Sequence, residues 1–411
     1  MIRFTNAGFT KKLLLISSVL LVLSPFSEAR NGSAGFSDTS GMVVQAEPER
    51  EPERLTQRIK PPAIHAKAAA LIDVASGRIL YSRNGEALLP MASTTKIMTA
   101  IVAIETGQLS DVVKTSKRAF AKEGSSLYLR RGEEMSLHHL LYGLMLRSGN
   151  DAAVAIAEHV GGSEEGFVYM MNEKAEMLGL DKTQFRNPHG LDADGHYTTA
   201  NDLARLSAYA LHNPTFQEIV RTKVKTVPNP NDNWDYKWSN KNKMLYLYEG
   251  ADGVKTGYTS KALRCLVSSA TRHGQQLAVV TLNDGNDWLD HSRLLDYGFS
   301  AFPKVPLVAK GDKIQGNEHL QASASAAYPL GADERDRVKA SVRLIPAGSL
   351  DYRLGYRGSL RYELDGKPLI SVQLEEAAAG GDEAGTGKPD TAAARWFQGL
   401  RTAVGSLFHA R

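Results

Sequence analysis

The sequence is almost devoid of cysteine: Cys265 stands alone among 411 residues. A single thiol excludes an internal disulfide framework. Its setting, Ala262-Leu263-Arg264-Cys265-Leu266-Val267, reads as a buried strand in which a thiol is an inert apolar group. Long apolar runs are also missing. The most hydrophobic stretch, Leu13 to Leu23, has eleven residues, short of the ~20 that a spanning helix needs. Charge is nearly balanced, and a net +4 is too mild to imply a nucleic-acid partner. No Gly-rich phosphate loop and no basic-aromatic motif occurs. His138, His139, His189 and His196 match no tight ligand spacing, and no Cys or Asp/Glu cluster completes a site. Neither a metal nor a cofactor is expected, and these histidines are read as structural or exposed.

What is present begins with Arg3, Lys11 and Lys12 ahead of the Leu13–Leu23 run, followed by Pro25 and Ser27-Glu28-Ala29. A positive start, a short apolar run and a small-x-small end form a secretory signal, expected to be removed after Ala29, with Val44-Gln45-Ala46 as a second cleavage point. Residues 30–61 are rich in Gly, Ser, Glu, Arg and Pro without apolar periodicity and read as a disordered spacer.

The chemistry concentrates in Ser93-Thr94-Thr95-Lys96, followed by the helix-compatible run Ile97 to Ile104. Residues three apart on a helix share a face, so the Lys96 amine can reach the Ser93 hydroxyl, a nucleophile beside a possible base. A lysine is a base only after losing its proton, which burial and a neighbouring cation both favour. Lys255-Thr256-Gly257 supplies such a cation. Between the two lies Ser148-Gly149-Asn150, at the end of an apolar segment in which Leu137, Leu140, Leu141, Leu144 and Met145 recur at helical spacing.

Ser-x-x-Lys, Ser-x-Asn and Lys-Thr-Gly, in this order, resemble the motifs of class A β-lactamases and penicillin-binding proteins. The flanks narrow the resemblance. GEEMSLHHLLYGLMLRSGNDAAVAIA (132–157), NPHGLDADGHYTTAND (187–202) and GADGVKTGYTSKALRCL (250–266) look like D-alanyl-D-alanine carboxypeptidases, the low-molecular-mass penicillin-binding proteins. The likeness is strong over roughly 62–305. It implies that Ser93 attacks a peptidoglycan stem peptide to form an acyl-enzyme, with Lys96 as base. It further implies that Ser148 relays a proton, that Asn150 holds Lys96 and the substrate amide, and that Lys255 and Thr256 bind the terminal carboxylate. The N–H groups of Ser93 and Tyr258 would form the oxyanion hole, and Gly257 would keep the ligand's approach clear. Some relatives carry histidine where Tyr258 stands, which leaves a side-chain role there open. β-Lactam antibiotics are the implied covalent inhibitors.

The expected fold class is α+β: a β-lactamase/transpeptidase-like catalytic domain, with an antiparallel sheet and a helical cluster, over 62–304. Strands flanking Ala75-Ser76-Gly77 open it as a hairpin, Thr199 to Leu211 is a helix with Thr199 and Asp202 as a capping pair, and Lys255 lies on a sheet edge. Period-two runs at Val305–Ala309, Val338–Ile345 and Leu369–Leu374 predict a small all-β domain over 305–376, read as a stalk. A flexible linker (377–391) and an amphipathic helix (392–411) follow. In that helix Trp396, Phe397, Leu400, Val404, Leu407 and Phe408 fall within an arc of about 120°, as in helices that lie in a membrane interface. The expected location is the outer face of the cytoplasmic membrane. Two other readings stay open: a β-lactamase, which needs a second activated base, and a catalytically idle wall-binding protein, which has no use for a nucleophile.

Overall fold

Residues 68–73, Ala-Ala-Ala-Leu-Ile-Asp, are all buried and do not alternate between apolar and polar. Such a run suits a strand covered on both faces. The computed structural model, which describes residues 59–377, shows how the covering is arranged. Strand β1 (Ala68–Asp73) pairs with β2 (Ile79–Arg83) on one side. On the other it pairs with a strand from the far end of the domain. That distant group is β3 (Ala251–Thr259), β4 (Leu263–Arg272) and β5 (Gln275–Leu282), giving the antiparallel order β2-β1-β5-β4-β3. Ala70 faces Val280, and Lys255 faces Val267. The β4–β5 hairpin turns at His273 (φ 48°) and Gly274 (φ 73°), the two positive values that a right-twisting two-residue turn requires.

Alternate residues of each inner strand enter different cores. Ala68, Ala70 and Ile72, with Val280 and Leu282, face the larger one, filled by Ile97, Met98 and Ile101 of helix α1 (Lys96–Thr106). Leu140, Leu141 and Tyr142 of α2 (Leu137–Tyr142) and Ala152, Val154 and Ile156 of α3 (Asn150–Gly161) also pack there. Ala69, Leu71, Leu277 and Val279 face the smaller core, closed by Leu294 and Leu295 of a late helix. The sheet is therefore a middle layer between helices. Helices α4 (Glu164–Met177), α5 (Ala200–Ala210), α6 (Pro214–Arg221) and α7 (Asp287–Ala301) complete it. Side-chain caps set the starts of α4 and α6: Ser163 accepts from Gly166 N–H, and Asn213 from Phe216 N–H with Pro214 in the first turn.

Two details depart from the sequence reading. Thr199 Oγ1 accepts from Asp202 N–H, but Asp202 does not return the bond: its carboxylate is taken by Lys182 N–H and the Thr183 hydroxyl. Nor does Asn150 sit at the end of α2. That helix widens through Gly143–Arg147 and stops at Ser148 (φ 64°), and Asn150 opens α3.

Beyond α7 lie β6 (Lys304–Val308), β7 (Lys313–Ile314), β8 (Asn317–Ala322), β9 (Ala326–Pro329), β10 (Val338–Leu344), β11 (Gly358–Leu364) and β12 (Lys367–Glu376). They form a β6–β9 pair and a sheet of order β7-β8-β12-β11-β10, around Val308, Leu320, Leu360, Tyr362, Val372 and Leu374. Among the described residues no helix is long and apolar enough to cross a membrane. The expected signal segment, the spacer up to residue 58, most of the linker and the C-terminal amphipathic helix lie outside the described residues.

Arg78, at the start of β2, ties this region to the first sheet. Its guanidinium donates to Pro329 O at 2.6 Å, pairs with Glu334, and lies 5.6 and 5.7 Å from the Phe302 and Tyr328 ring centres. The pair is largely buried, so its loss strands Glu334. Arg78→Ala is expected to lower unfolding free energy by about 2 kcal/mol, measured by urea denaturation.

Candidate active site

Helix α1 is preceded by a 3₁₀ turn, Ala92–Thr95, that carries Ser93. The hydroxyls of Thr94 and Thr95 bond back to the carbonyls of Met91 and Ala92, at 2.5 and 2.8 Å, and so tighten the turn. Ala92 is held at φ 47°, a conformation unfavourable for a residue with a Cβ and characteristic of functional sites. Ser93 emerges partly exposed, while Lys96 is wholly buried.

Lys96 Nζ lies 3.1 Å from Ser93 Oγ, 2.7 Å from Asn150 Oδ1, and within hydrogen-bond reach of the His189 main-chain carbonyl. Asn150 cannot be turned around, because its Nδ2 donates to Glu123 O at 2.7 Å. Burial first, then the cations of Lys255 and Lys241, push the Lys96 pKa well below the usual lysine value, with Asp151 opposing. A neutral amine has two N–H groups and one lone pair. Asn150 Oδ1 and His189 O are pure acceptors and take the two hydrogens. In that neutral form the lone pair would face Ser93 Oγ, 3.1 Å away, and could accept its proton.

Lys255, on edge strand β3, is as buried as Lys96, and its Nζ donates to Thr256 O at 2.8 Å. Burial and then Lys241 bring its pKa down to about 7. A Cβ added at Gly257 would meet Ser93 N at 3.0 Å and Thr94 N at 3.2 Å. The obstruction expected at this glycine is thus against the nucleophile's own backbone, and the bare strand is what lets β3 lie along the turn. Thr256 is half-buried, and the Tyr258 side chain is 66% exposed, pointing to solvent. Ser148 is 4% exposed, and among the described residues its hydroxyl forms no hydrogen bond. The structure therefore joins Ser93, Lys96 and Asn150 by direct bonds and lays Gly257 against them. Ser148 and Thr256 carry no bond to either lysine through their side chains.

Sequence reasoning missed several parts. Asp151 is buried and accepts from Ser126 Oγ at 2.6 Å and from Leu127, Leu129 and Ala152 N–H, bolting the 124–130 loop beside Asn150. Lys241 donates from its main chain to Leu146 O and from Nζ to Ser125 Oγ at 3.2 Å. His189 receives Leu191 N–H at Nδ1, which leaves the proton on Nε2, 3.4 Å from Glu164 Oε1. Arg118 holds the other Glu164 oxygen at 2.8 Å. These contacts keep Glu164 ionised below its usual range, while burial lowers His189 to about 4. His196 is buried too, between Thr95 Oγ1 at 2.8 Å and Arg186 N–H at 3.0 Å. Among the described residues no group of three or more His, Cys, Asp or Glu could hold a metal ion.

Comparison with known proteins bears on this geometry. A family model described as D-alanyl-D-alanine carboxypeptidase matches residues 55–286. The D-alanyl-D-alanine carboxypeptidase DacF of Bacillus subtilis (strain 168) is 39% identical over 264 residues, 61% of this chain and 67% of that protein. DacC of Escherichia coli (strain K12) is 32% identical over 353 residues, 78% of this chain and 86% of its own length. Penicillin binding protein 5 from Haemophilus influenzae aligns with a TM-score of 0.63 at 28% identity, over 77% of this chain and 98% of that structure. With more than half its length matched by that family model, the chain belongs to the D-alanyl-D-alanine carboxypeptidase family.

Proposed function

We propose the following course for the reaction of this serine-type D-alanyl-D-alanine carboxypeptidase. Ser93 Oγ attacks the carbonyl of the penultimate D-alanine of a peptidoglycan stem peptide as Lys96 takes its proton. The N–H groups of Ser93 and Tyr258 receive the developing oxyanion. Lys255 and Thr256 hold the terminal carboxylate, and Asn150 fixes Lys96 and the substrate amide. The Ser148 hydroxyl, free of other partners, relays a proton to the departing amine. D-Alanine leaves, and water hydrolyses the ester to regenerate Ser93. A β-lactam enters by the same attack but retains its leaving amine, so the adduct persists.

The observation that carries this reading is the wholly buried Lys96 amine, 3.1 Å from Ser93 Oγ and 2.7 Å from Asn150 Oδ1. A β-lactamase reading lacks such support: among the described residues Ser93 Oγ bonds only to Lys96, and no carboxylate stands beside it as a second base. Around this centre we place an exported protein on the outer face of the cytoplasmic membrane. Residues 1–29 direct export, 30–61 are a spacer and 62–304 are catalytic. Residues 305–376 act as a stalk, 377–391 as a linker, and 392–411 as a helix that rests on the membrane.

Two experiments test the chemistry. Purified protein incubated with penicillin should gain one adduct by intact-mass analysis and should release D-alanine from diacetyl-Lys-D-Ala-D-Ala. Ser93→Ala should abolish the adduct and cut release by roughly 10³-fold or more. Rapid penicillin turnover without D-alanine release would replace the reading by a β-lactamase, and no adduct would end it.

The second follows the base. Lys241 is one of the cations that lower Lys96, so Lys241→Met relieves the penalty on the protonated amine and raises its pKa. Less of the base is then free at a given pH. The acidic limb of the acylation rate against pH should move to higher pH; an unmoved limb would separate Lys241 from the base.

A further inference from the structure

The corner of the second sheet at β10 departs from the rest of its fold. Val342 stands beside Leu360 in the register, on the face that buries Leu360, Tyr362 and Leu364. Leu344 stands opposite Gly358, which has no side chain to cover it. The core face therefore continues outward here with nothing over it among the described residues. From Leu344 the chain enters a loop that closes where Ile345 N–H donates to Arg357 O, and within it Leu350, Leu354 and Tyr356 are 62%, 53% and 51% exposed. Large apolar side chains exposed singly are ordinary, but five within fifteen residues of one sheet corner mark a contact surface.

The charges around it select the partner. Arg343 and Arg353 are exposed, and neither has an ion pair or a side-chain hydrogen bond among the described residues. One exposed carboxylate, Asp351, lies on the same loop. Leucines and a tyrosine beside unpaired arginines suit an interface whose apolar part lies beneath a layer of negative charge.

The path of the chain points the same way. Arg357 Nε donates to Glu376 Oε1 at 2.8 Å, and Ala377 N–H to His319 O at 2.8 Å, so the chain leaves the sheet beside this loop. The remaining 378–411 end in a segment, 392–411, with Arg395, Arg401 and Arg411 and no Asp or Glu. Docked on the corner, that segment would set cation against cation. A second copy of this chain would do the same with Arg343 and Arg353. Both the corner and the segment fit one anionic surface.

We propose that the β10 corner and the 345–357 loop seat directly on an anionic lipid surface, as a second contact beside the C-terminal segment. The proposal rests on the membrane-side location proposed above. The stalk then meets the membrane at two adjacent points, which fixes its orientation.

The test is amide hydrogen exchange on the full chain, with and without vesicles of phosphatidylglycerol and phosphatidylethanolamine, read separately for peptides from 342–356 and 394–408. Vesicles should slow both regions several-fold. Leu350→Asp combined with Leu354→Asp should remove the slowing at 342–356, leave it at 394–408, and leave D-alanine release unchanged. Slowing at 394–408 alone would overturn the proposal while keeping the membrane location; slowing at neither would remove that location as well. Protection of 342–356 without vesicles would also overturn it, in favour of a second copy if it falls on dilution, or of the chain's own C-terminal segment if Leu400→Glu abolishes it. Equal slowing by phosphatidylcholine vesicles would overturn the part assigned to the arginines.

Discussion

Two lysines buried in one pocket, with no carboxylate among the described residues bonded to either amine, are the constraint on which this structure depends. An isolated buried ammonium is strongly disfavoured, and two repel each other. Burial and neighbouring cations lower both amines, Lys96 well below the usual lysine value and Lys255 to about 7. That outcome needs Lys96 and Lys255 to stay close, and the architecture holds them there. Lys96 is fixed by helix α1, whose apolar side is locked into the larger core, and Lys255 by the β3–β4 ladder. The contact between Gly257 and the Ser93 backbone sets the spacing. Asp151, the nearest buried carboxylate, spends its lone pairs on the main chain of the 124–130 loop and on Ser126. The core thus serves the chemistry chiefly by refusing water and counter-ions to two amines.

Much of this was legible in the sequence because it is written in side-chain type and spacing. Ser93, Lys96, Asn150 and Lys255 carry functional groups that the reaction needs, and their order singles them out. The helix capped by Thr199 and the β1–β2 hairpin around Ala75-Ser76-Gly77 were readable from local turn and cap chemistry. The rest was hidden for identifiable reasons. The second acceptor for Lys96 is the carbonyl of His189, and a main-chain group has no residue signature. Lys241 lies in a run of Asn and Lys that reads as solvated surface until the fold brings it against the loop at Ser125. Asp151 follows Asn150 directly and was overshadowed by it. Strand β8, Asn-Glu-His-Leu-Gln-Ala, is too polar to stand out by period. The alternation of β10 suggested a half-buried strand, whereas its position at the sheet edge leaves nearly all of it exposed.

Behind the reacting groups, Arg118, Glu164 and His189 form a graded path from surface to core. Arg118 is half-exposed, Glu164 nearly covered, and His189 covered and uncharged. Charge is kept at the outer end of this path. What reaches Lys96 is only a carbonyl dipole, strong enough to orient an amine and too weak to hold a proton on it. A carboxylate in the place of that carbonyl would keep Lys96 protonated and silence it as a base.

Strand β3 has β4 on one side and ends the sheet on the other. An unfinished edge is normally an invitation to pair with another chain. Here the turn bearing Ser93 packs directly against it at Gly257 and covers part of that edge. A peptide laid along the rest of the edge would become a temporary further strand, aligned by the same kind of ladder that holds the domain together. Recognition by main-chain pairing is indifferent to most side chains. The selectivity of such an edge would have to come from where the guest chain stops, and a buried amine placed as Lys255 is would favour a chain that ends there in a carboxylate.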